Sequence, residues 1–177
     1  MKKYEFTGET KEIRLLFRTV TLHRIRATVA FGIVEVGDLG GWIEKEENLS
    51  HEGKAWVCGD AEVWGNAKVW GNAEVCGDAK VWGNAEVWGN AKVFSASHVL
   101  VIGAIGSRND FTTFYRDKDN EITVKCGCFL GKIDRFLEKV TQTHGDSKYA
   151  LVYRAAVEVA KLQIDLSGEA PKDADEE

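Results

Sequence analysis

Across residues 55–94 the chain repeats one six-residue phrase without an insertion: Ala-Trp-Val-Cys-Gly-Asp, then Ala-Glu-Val-Trp-Gly-Asn, then Ala-Lys-Val-Trp-Gly-Asn, and onward. A period this strict constrains the architecture before composition does, because short stacked repeats bury a continuous core only against their neighbours. The segment therefore reads as a solenoid of strands, not as a sandwich or a helical bundle. Within each hexad Ala-x-Val-x is a short extended run whose alternate side chains face opposite ways, so Ala and Val point inward. Gly-Asn or Gly-Asp supplies the corner, since these residue types tolerate the positive φ that a sharp turn needs.

The hexads resemble the hexapeptide repeat of left-handed β-helices. Val57, Val63, Val69, Val75, Val81, Val87, Val93 and Val99 stand at the aliphatic position, and Ala61, Ala67, Ala73, Ala79, Ala85 and Ala91 stand at the small inward one. That resemblance implies three hexads per triangular coil, or eighteen residues. The expected fold class is mainly β: a left-handed parallel β-helix with an N-terminal β cap and a C-terminal β-hairpin plus two-helix α+β domain. Charge patterning supports the coil length independently. At an eighteen-residue offset Glu62 meets Lys80, Lys68 meets Glu86 and Glu74 meets Lys92, all opposite in sign. Each such pair on adjacent strands contributes about 0.2–1 kcal/mol, whereas a coil of two or four hexads would juxtapose like charges.

The same offset sorts the outward bulky residues into columns. Cys58, Cys76 and Phe94 form one, Trp64, Trp82 and Leu100 a second, Trp70 and Trp88 a third. An indole ring can bury roughly 150–250 Å², so four left in water is an improbable design for a monomer. A threefold assembly buries two flanks of each subunit, which predicts a homotrimer with Trp64, Trp70, Trp82 and Trp88 at the interface. The competing reading is a stacking platform for flat ligands.

Around the repeat, four segments are expected: an N-terminal β cap over 1–32, the β-helix over 33–104, a C-terminal β-hairpin and helices over 105–164, and an acidic disordered tail over 165–177. Ile43 and Leu49 look like aliphatic positions of an imperfect first coil. Residues 111–116 and 121–126 read as the hairpin strands. Two apolar stripes follow at helical spacing: Phe129, Ile133, Phe136, Leu137 and Val140, then Tyr149, Val152, Tyr153, Ala156, Val159 and Ala160, with a break at 144–147 where Asp146 or Ser147 would cap the second helix. The tail holds one lysine against six acids and so carries the whole formal net charge of −5. This balance speaks against general nucleic-acid binding. No apolar run reaches membrane-spanning length and the first residues lack a signal-type core, which predicts a cytoplasmic protein without a membrane partner.

The flanks extend the resemblance. The phrase Gly-Asp-Leu-Gly-Gly-Trp-Ile-Glu-Lys-Glu-Glu-Asn-Leu-Ser over 37–50, joined to the repeats, is similar to a group of phage and prophage proteins often labelled transferases. Gly106-Ser107-Arg108, Cys126-Gly127-Cys128-Phe129 and His144-Gly145-Asp146 resemble the tails of some members. Acyltransferases of this fold use a histidine base and acetyl-coenzyme A, which would fall to His98, expected in the outward slot above Lys80, or to His51 at the junction before the repeats. The hexads themselves contain no histidine and no loop to cover a pantetheine arm, so no catalytic residue is favoured and no cofactor is expected. The four cysteines are expected as free thiols without a metal; zinc needs a stronger ligand pattern than Cys-x-Cys. Ser107, Arg108, Arg116 and Lys125 are candidates for an anionic ligand, against the plainer reading of an arginine-braced turn. The leading functional reading is a non-catalytic homotrimeric binding protein that takes a host protein or a small nucleotide-like signal in counter-defence. An acyltransferase and a self-assembling structural protein are the alternatives.

Overall fold

The computed structural model describes residues 2–167. Two long strands, β1 (Tyr4–Arg14) and β2 (Thr19–Ala27), open the chain, followed by β3 (Leu39–Ile43). Each hexad then contributes one two-residue strand: β4 (Trp56–Val57), β5 (Glu62–Val63), β6 (Lys68–Val69), β7 (Glu74–Val75), β8 (Lys80–Val81), β9 (Glu86–Val87) and β10 (Lys92–Val93). The C-terminal part holds β11 (Val99–Ile105), β12 (Asp110–Arg116), β13 (Ile122–Cys126) and β14 (Phe129–Lys132), then α1 (Ile133–His144) and α2 (Lys148–Gln163).

Hexad strands pair in parallel with the strand eighteen residues away, so Val57 faces Val75, Val75 faces Val93, Val63 faces Val81 and Val69 faces Val87. Successive hexads consequently fall into three different sheets. Their inward alanine and valine columns are no more than 1% exposed from Ala55 to Val93. The corners require glycine for two reasons at once. Gly71 has φ +72°, and a Cβ there would lie 3.0 Å from the backbone nitrogen of Gly89, its neighbour eighteen residues on.

The expected left-handed parallel β-helix with separate caps is not what the chain forms. It is assembled from several small sheets of mixed character. One is five-stranded in the order β1-β2-β3-β5-β8, antiparallel in its first part and parallel in its second; two are short and parallel, β4-β7-β10 and β6-β9; the fourth, β11-β12-β13-β14, is antiparallel. The physical reason lies in strand length. A two-residue strand offers few pairing groups, while the longer alternating segments at both ends pair antiparallel, and the N-terminal ones merge with hexad strands in one sheet. Ile43 and Leu49 do align with aliphatic positions, but with Val63 and Val69, twenty residues on, because the corner over 50–54 is longer than a regular one.

The two ends of the hexad core close differently. At the N-terminal end the Tyr4 hydroxyl donates to the carbonyl of Leu49 at 2.9 Å, Lys3 Nζ to that of Ala55 at 2.7 Å and Asn48 Nδ2 to that of Ala67 at 2.8 Å. These side chains satisfy carbonyls that have no further strand to meet. At the other end β12 lies across the last hexads: Tyr115 is fully buried and donates to the Trp88 carbonyl at 3.0 Å, while Thr113 Oγ1 accepts from the Glu86 N–H at 3.0 Å. Phe114, between them, faces the opposite way into a second core made with Val124, Phe136, Tyr153 and Val157. One strand thus joins two cores through its period-two alternation.

The C-terminal part also differs from a hairpin with helices. Val99 leaves the aliphatic column to start β11, and Phe129 belongs to β14, so the sheet has four strands. The buried stripe of α2 runs through Ala150, Tyr153, Ala156, Val157, Ala160 and Ile164, leaving Val152 and Val159 exposed. Ser147 takes the N-cap position of α2, although its side chain makes no capping bond. The acidic tail lies, from residue 168, outside the described residues. Among the described residues no helix is long and apolar enough to cross a membrane.

Candidate functional site

Two turns and two helices converge on a cavity of ≈390 Å³ in the C-terminal part. Ser107 and Arg108 come from the β11–β12 turn, Cys126, Gly127, Cys128 and Phe129 from the β13–β14 turn, Phe136, Lys139, Thr143 and His144 from α1, and Tyr153 from α2. The segments Gly-Ser-Arg, Cys-Gly-Cys-Phe and His-Gly-Asp, separated by up to some forty residues in sequence, therefore meet at one place.

Local chemistry explains the convergence. Gly106 has φ +74°, and a Cβ on it would sit 1.9 Å from the Tyr153 hydroxyl oxygen, so only glycine lets the turn and the phenol approach so closely. Gly127, at φ +54°, turns the β13–β14 connection beside the Arg108 guanidinium. Tyr153 is buried against Phe136, with ring centroids 5.6 Å apart edge-on, and His144 stacks on it at 5.8 Å. Burial and the neighbouring Cys126 thiol push the Tyr153 phenol up to about 12. The Cys126 sulfur in turn accepts from Thr112 Oγ1 at 3.3 Å. The wall is thus largely aromatic, with the carboxylate of Asp110 also in the lining, while Arg108 and Lys139 at the rim are exposed and form no ion pair among the described residues.

Comparison with protein-family models and with curated proteins finds no match. The chemistry of the chain therefore has to be read from its own residues.

Of the four anion candidates, Ser107 and Arg108 line this cavity and the other two do not. Adjacent β-strand residues face opposite ways, so Lys125 points toward the hexads while Cys126 points into the cavity. Lys125 Nζ lies 3.0 Å from Glu86 Oε2 and 4.9 Å from the Trp88 ring centroid. Arg116 is buried, with Nη1 3.2 Å from His98 Nε2. His98 is not in an outward slot. It sits in a 3₁₀ turn, buried, with Nδ1 accepting from the Phe94 N–H at 3.1 Å. Burial and the adjacent Arg116 hold its pKa below the ordinary histidine value. His51 likewise serves the N-terminal closure: Nδ1 accepts from the Lys3 N–H at 3.1 Å, the ring stacks on Tyr4 at 4.3 Å, and burial lowers its pKa. Both rings are thus engaged in hydrogen bonding and packing at the two closures of the hexad core.

Indole rings stack at the eighteen-residue offset, Trp64 on Trp82 at 6.0 Å and Trp70 on Trp88 at 5.2 Å. Their surroundings differ. Trp64 is covered by Val20 and Leu22 of the chain's own β2, Trp70 and Trp88 are half-buried, and Trp82 is 60% exposed. The cysteines correct the expectation of four free thiols. Cys58 and Cys76 form a disulfide, their Cα atoms 4.5 Å apart, because in-register stacking of parallel strands brings equivalent side chains together. Cys126 and Cys128 are free. A cluster of carboxylates, Asp117, Asp119 and Glu121, surrounds Lys132, whose Nζ lies 2.5 Å from Glu121 and 3.5 Å from Asp119 and also contacts Asp117, so an ammonium already fills that centre.

Lys139, Thr143, Phe136 and Tyr153 were not singled out as site residues by sequence reasoning. Phe136 and Tyr153 read as ordinary core positions on apolar stripes, and nothing in one-dimensional spacing distinguishes a core tyrosine from one that walls a cavity. The glycines beside each turn were the available signal.

Proposed function

We propose that the protein is a non-catalytic, homotrimeric binding protein of phage or prophage origin, working in the host cytoplasm, that captures a small anionic ligand bearing a flat ring. The cavity between the β11–β12 turn, the β13–β14 turn and the helices is the binding site. The observation that carries this reading is the pairing of two rim cations that form no ion pair among the described residues, Arg108 and Lys139, with an aromatic wall of Phe129, Phe136, His144 and Tyr153, against a single carboxylate in the lining, Asp110. Arginine offers a forked donor set to phosphate or carboxylate, and aromatic faces accept planar rings with little regard to identity. A volume of ≈390 Å³ is at the small end of ligand cavities, which favours a mononucleotide-sized molecule over a host protein or a long pantetheine arm. Trimer formation is supported by the exposed ring of Trp82.

Isothermal titration with adenosine 5′-monophosphate, with adenosine as the uncharged control, tests the site. Binding of the monophosphate that weakens by at least about tenfold in Arg108→Ala and again in Lys139→Ala is expected, as each removes a charge-assisted contact. No heat with the monophosphate, or equal affinity in Arg108→Ala, ends the reading. Light scattering of the same samples checks the assembly, with three times the 19.7 kDa chain mass expected.

A further inference from the structure

The turn joining β1 to β2 has a composition opposite to that of ordinary hairpin turns, which recruit Gly, Asn or Asp. Residues 15–18 read Leu-Leu-Phe-Arg, closed by a backbone bond from the Leu15 N–H to the Arg18 carbonyl at 2.8 Å. Leu15 is 40%, Leu16 87% and Phe17 94% exposed, and Phe17 is the most exposed large hydrophobic side chain among the described residues. Three consecutive apolar residues in water carry an unfavourable hydration cost that a partner would relieve.

The tip is held away from the body. Its base is anchored by Val20 and Leu22 packing on Trp64 and by Lys11 Nζ, 2.7 Å from Glu62 Oε1, so the apolar residues stand on a fixed ribbon. Beyond the acids of β1, Glu5, Glu9 and Glu12, which precede the tip, the charge is positive. Residues 13–34 contain four arginines and neither Asp nor Glu. Arg26 is engaged by Glu5 at 2.5 Å and Arg24 lies 5.1 Å from the Trp42 ring centroid. Arg14 and Arg18, which frame the tip, form no ion pair among the described residues.

The geometry points to an anionic lipid surface as the partner: we infer that the 15–17 tip, framed by Arg14 and Arg18, docks the protein peripherally on a negatively charged bilayer. A convex apolar tip has no concavity to receive a partner's side chain, and a bilayer interface needs none. Leucine and phenylalanine enter the headgroup–acyl boundary while arginines remain at the level of the phosphates. This needs no spanning helix. A duplex nucleic acid fits less well, because three adjacent large apolar residues exceed a single intercalating wedge. The inference is independent of the ligand cavity.

Co-sedimentation of the full chain with phosphatidylcholine vesicles containing about one-third phosphatidylserine tests it, against pure phosphatidylcholine vesicles. The protein is expected to pellet with the anionic vesicles at low salt and to be released as salt rises. Leu16→Ser/Phe17→Ser should weaken binding by roughly tenfold or more, and Arg14→Gln/Arg18→Gln by about 25-fold, or about fivefold per arginine. These positions are exposed, so circular dichroism should be unchanged. Failure of the wild-type chain to pellet overturns the inference, as does equal pelleting of the Leu16→Ser/Phe17→Ser variant. Loss of oligomeric mass in that variant, which would assign the tip to a second copy of the chain, or tighter binding to duplex DNA than to vesicles overturns it too.

Discussion

The hexad region and the C-terminal unit solve the same problem of burial with opposite economies of sequence. In the hexads every inward Ala and Val has an equivalent eighteen residues away: Val63 and Val81, or Ala67 and Ala85, perform the same task one layer apart. The outward face of such a region is a set of ladders: stacked indoles and amide pairs such as Asn66–Asn84 at 3.1 Å and Asn72–Asn90 at 3.3 Å. In the C-terminal unit no position has an equivalent. Its cavity is assembled once, from two turns and two helices, and each contributor is single. The lesson is that repetition concentrates structural information and dilutes chemical information, while the irregular unit does the reverse.

That contrast can be broken most forcefully at Gly106. In Gly106→Ala the new Cβ would collide with the Tyr153 hydroxyl and carry the left-handed backbone strain as well, a destabilisation of about 3 kcal/mol. Chemical denaturation measures it, and the variant should also lose the proposed ligand. Wild-type stability would mean that the turn and α2 are not rigidly coupled.

A smaller effect should appear at the seam between the two regions, where His98 is buried beside Arg116. Burial first, and then the guanidinium, depress its folded pKa below the ordinary histidine value of about 6.5. The unfolded chain therefore binds more protons across the interval between the two values. The stability contributed by keeping this ring neutral is complete above about pH 6.5 and is lost as pH falls through the depressed folded value. Thermal midpoints between pH 8 and 5 should decline, and His98→Gln should flatten part of the decline; identical slopes would remove His98 from the seam.

The least sensitive site should be a repeated one on the surface. Lys80→Glu places a carboxylate opposite Glu62, where Lys80 Nζ now lies 3.9 Å from Glu62 Oε2. With Lys80 more than half exposed and Lys11 also serving Glu62, the expected loss is about 0.5 kcal/mol, shrinking with added salt. A loss several times larger would show that the hexads distribute strain less well than their repetition implies.

Much of the local architecture was readable in one dimension. The eighteen-residue register, the buried Ala and Val columns, the stacking of Trp64 on Trp82, the adjacency of Cys58 and Cys76, and a helix break at 144–147 all follow from spacing, because period and side-chain alternation are local properties of the backbone. The resemblance to left-handed β-helices misled at the level of the whole fold. Hexad periodicity says nothing of which sheet the long strands at either end will join, and β1, β2 and β3 joined that of β5 and β8. Within the candidate site Ser107, Arg108, Cys126 and His144 were visible as parts of short phrases; their meeting place was not.

Sequence by itself determined the register of the hexads and the identity of what they bury, since each pairing there is a fixed step along the chain. Only the tertiary structure decided that β12 bridges two cores, that Arg116 and Lys125 turn away from Arg108, that Trp64 is covered by the chain's own hairpin, and that Lys139 and Tyr153 border one cavity. The physical reason is contact range. Register depends on neighbours a constant distance apart in sequence, whereas a cavity depends on how unequal elements of different length pack, which no local period encodes.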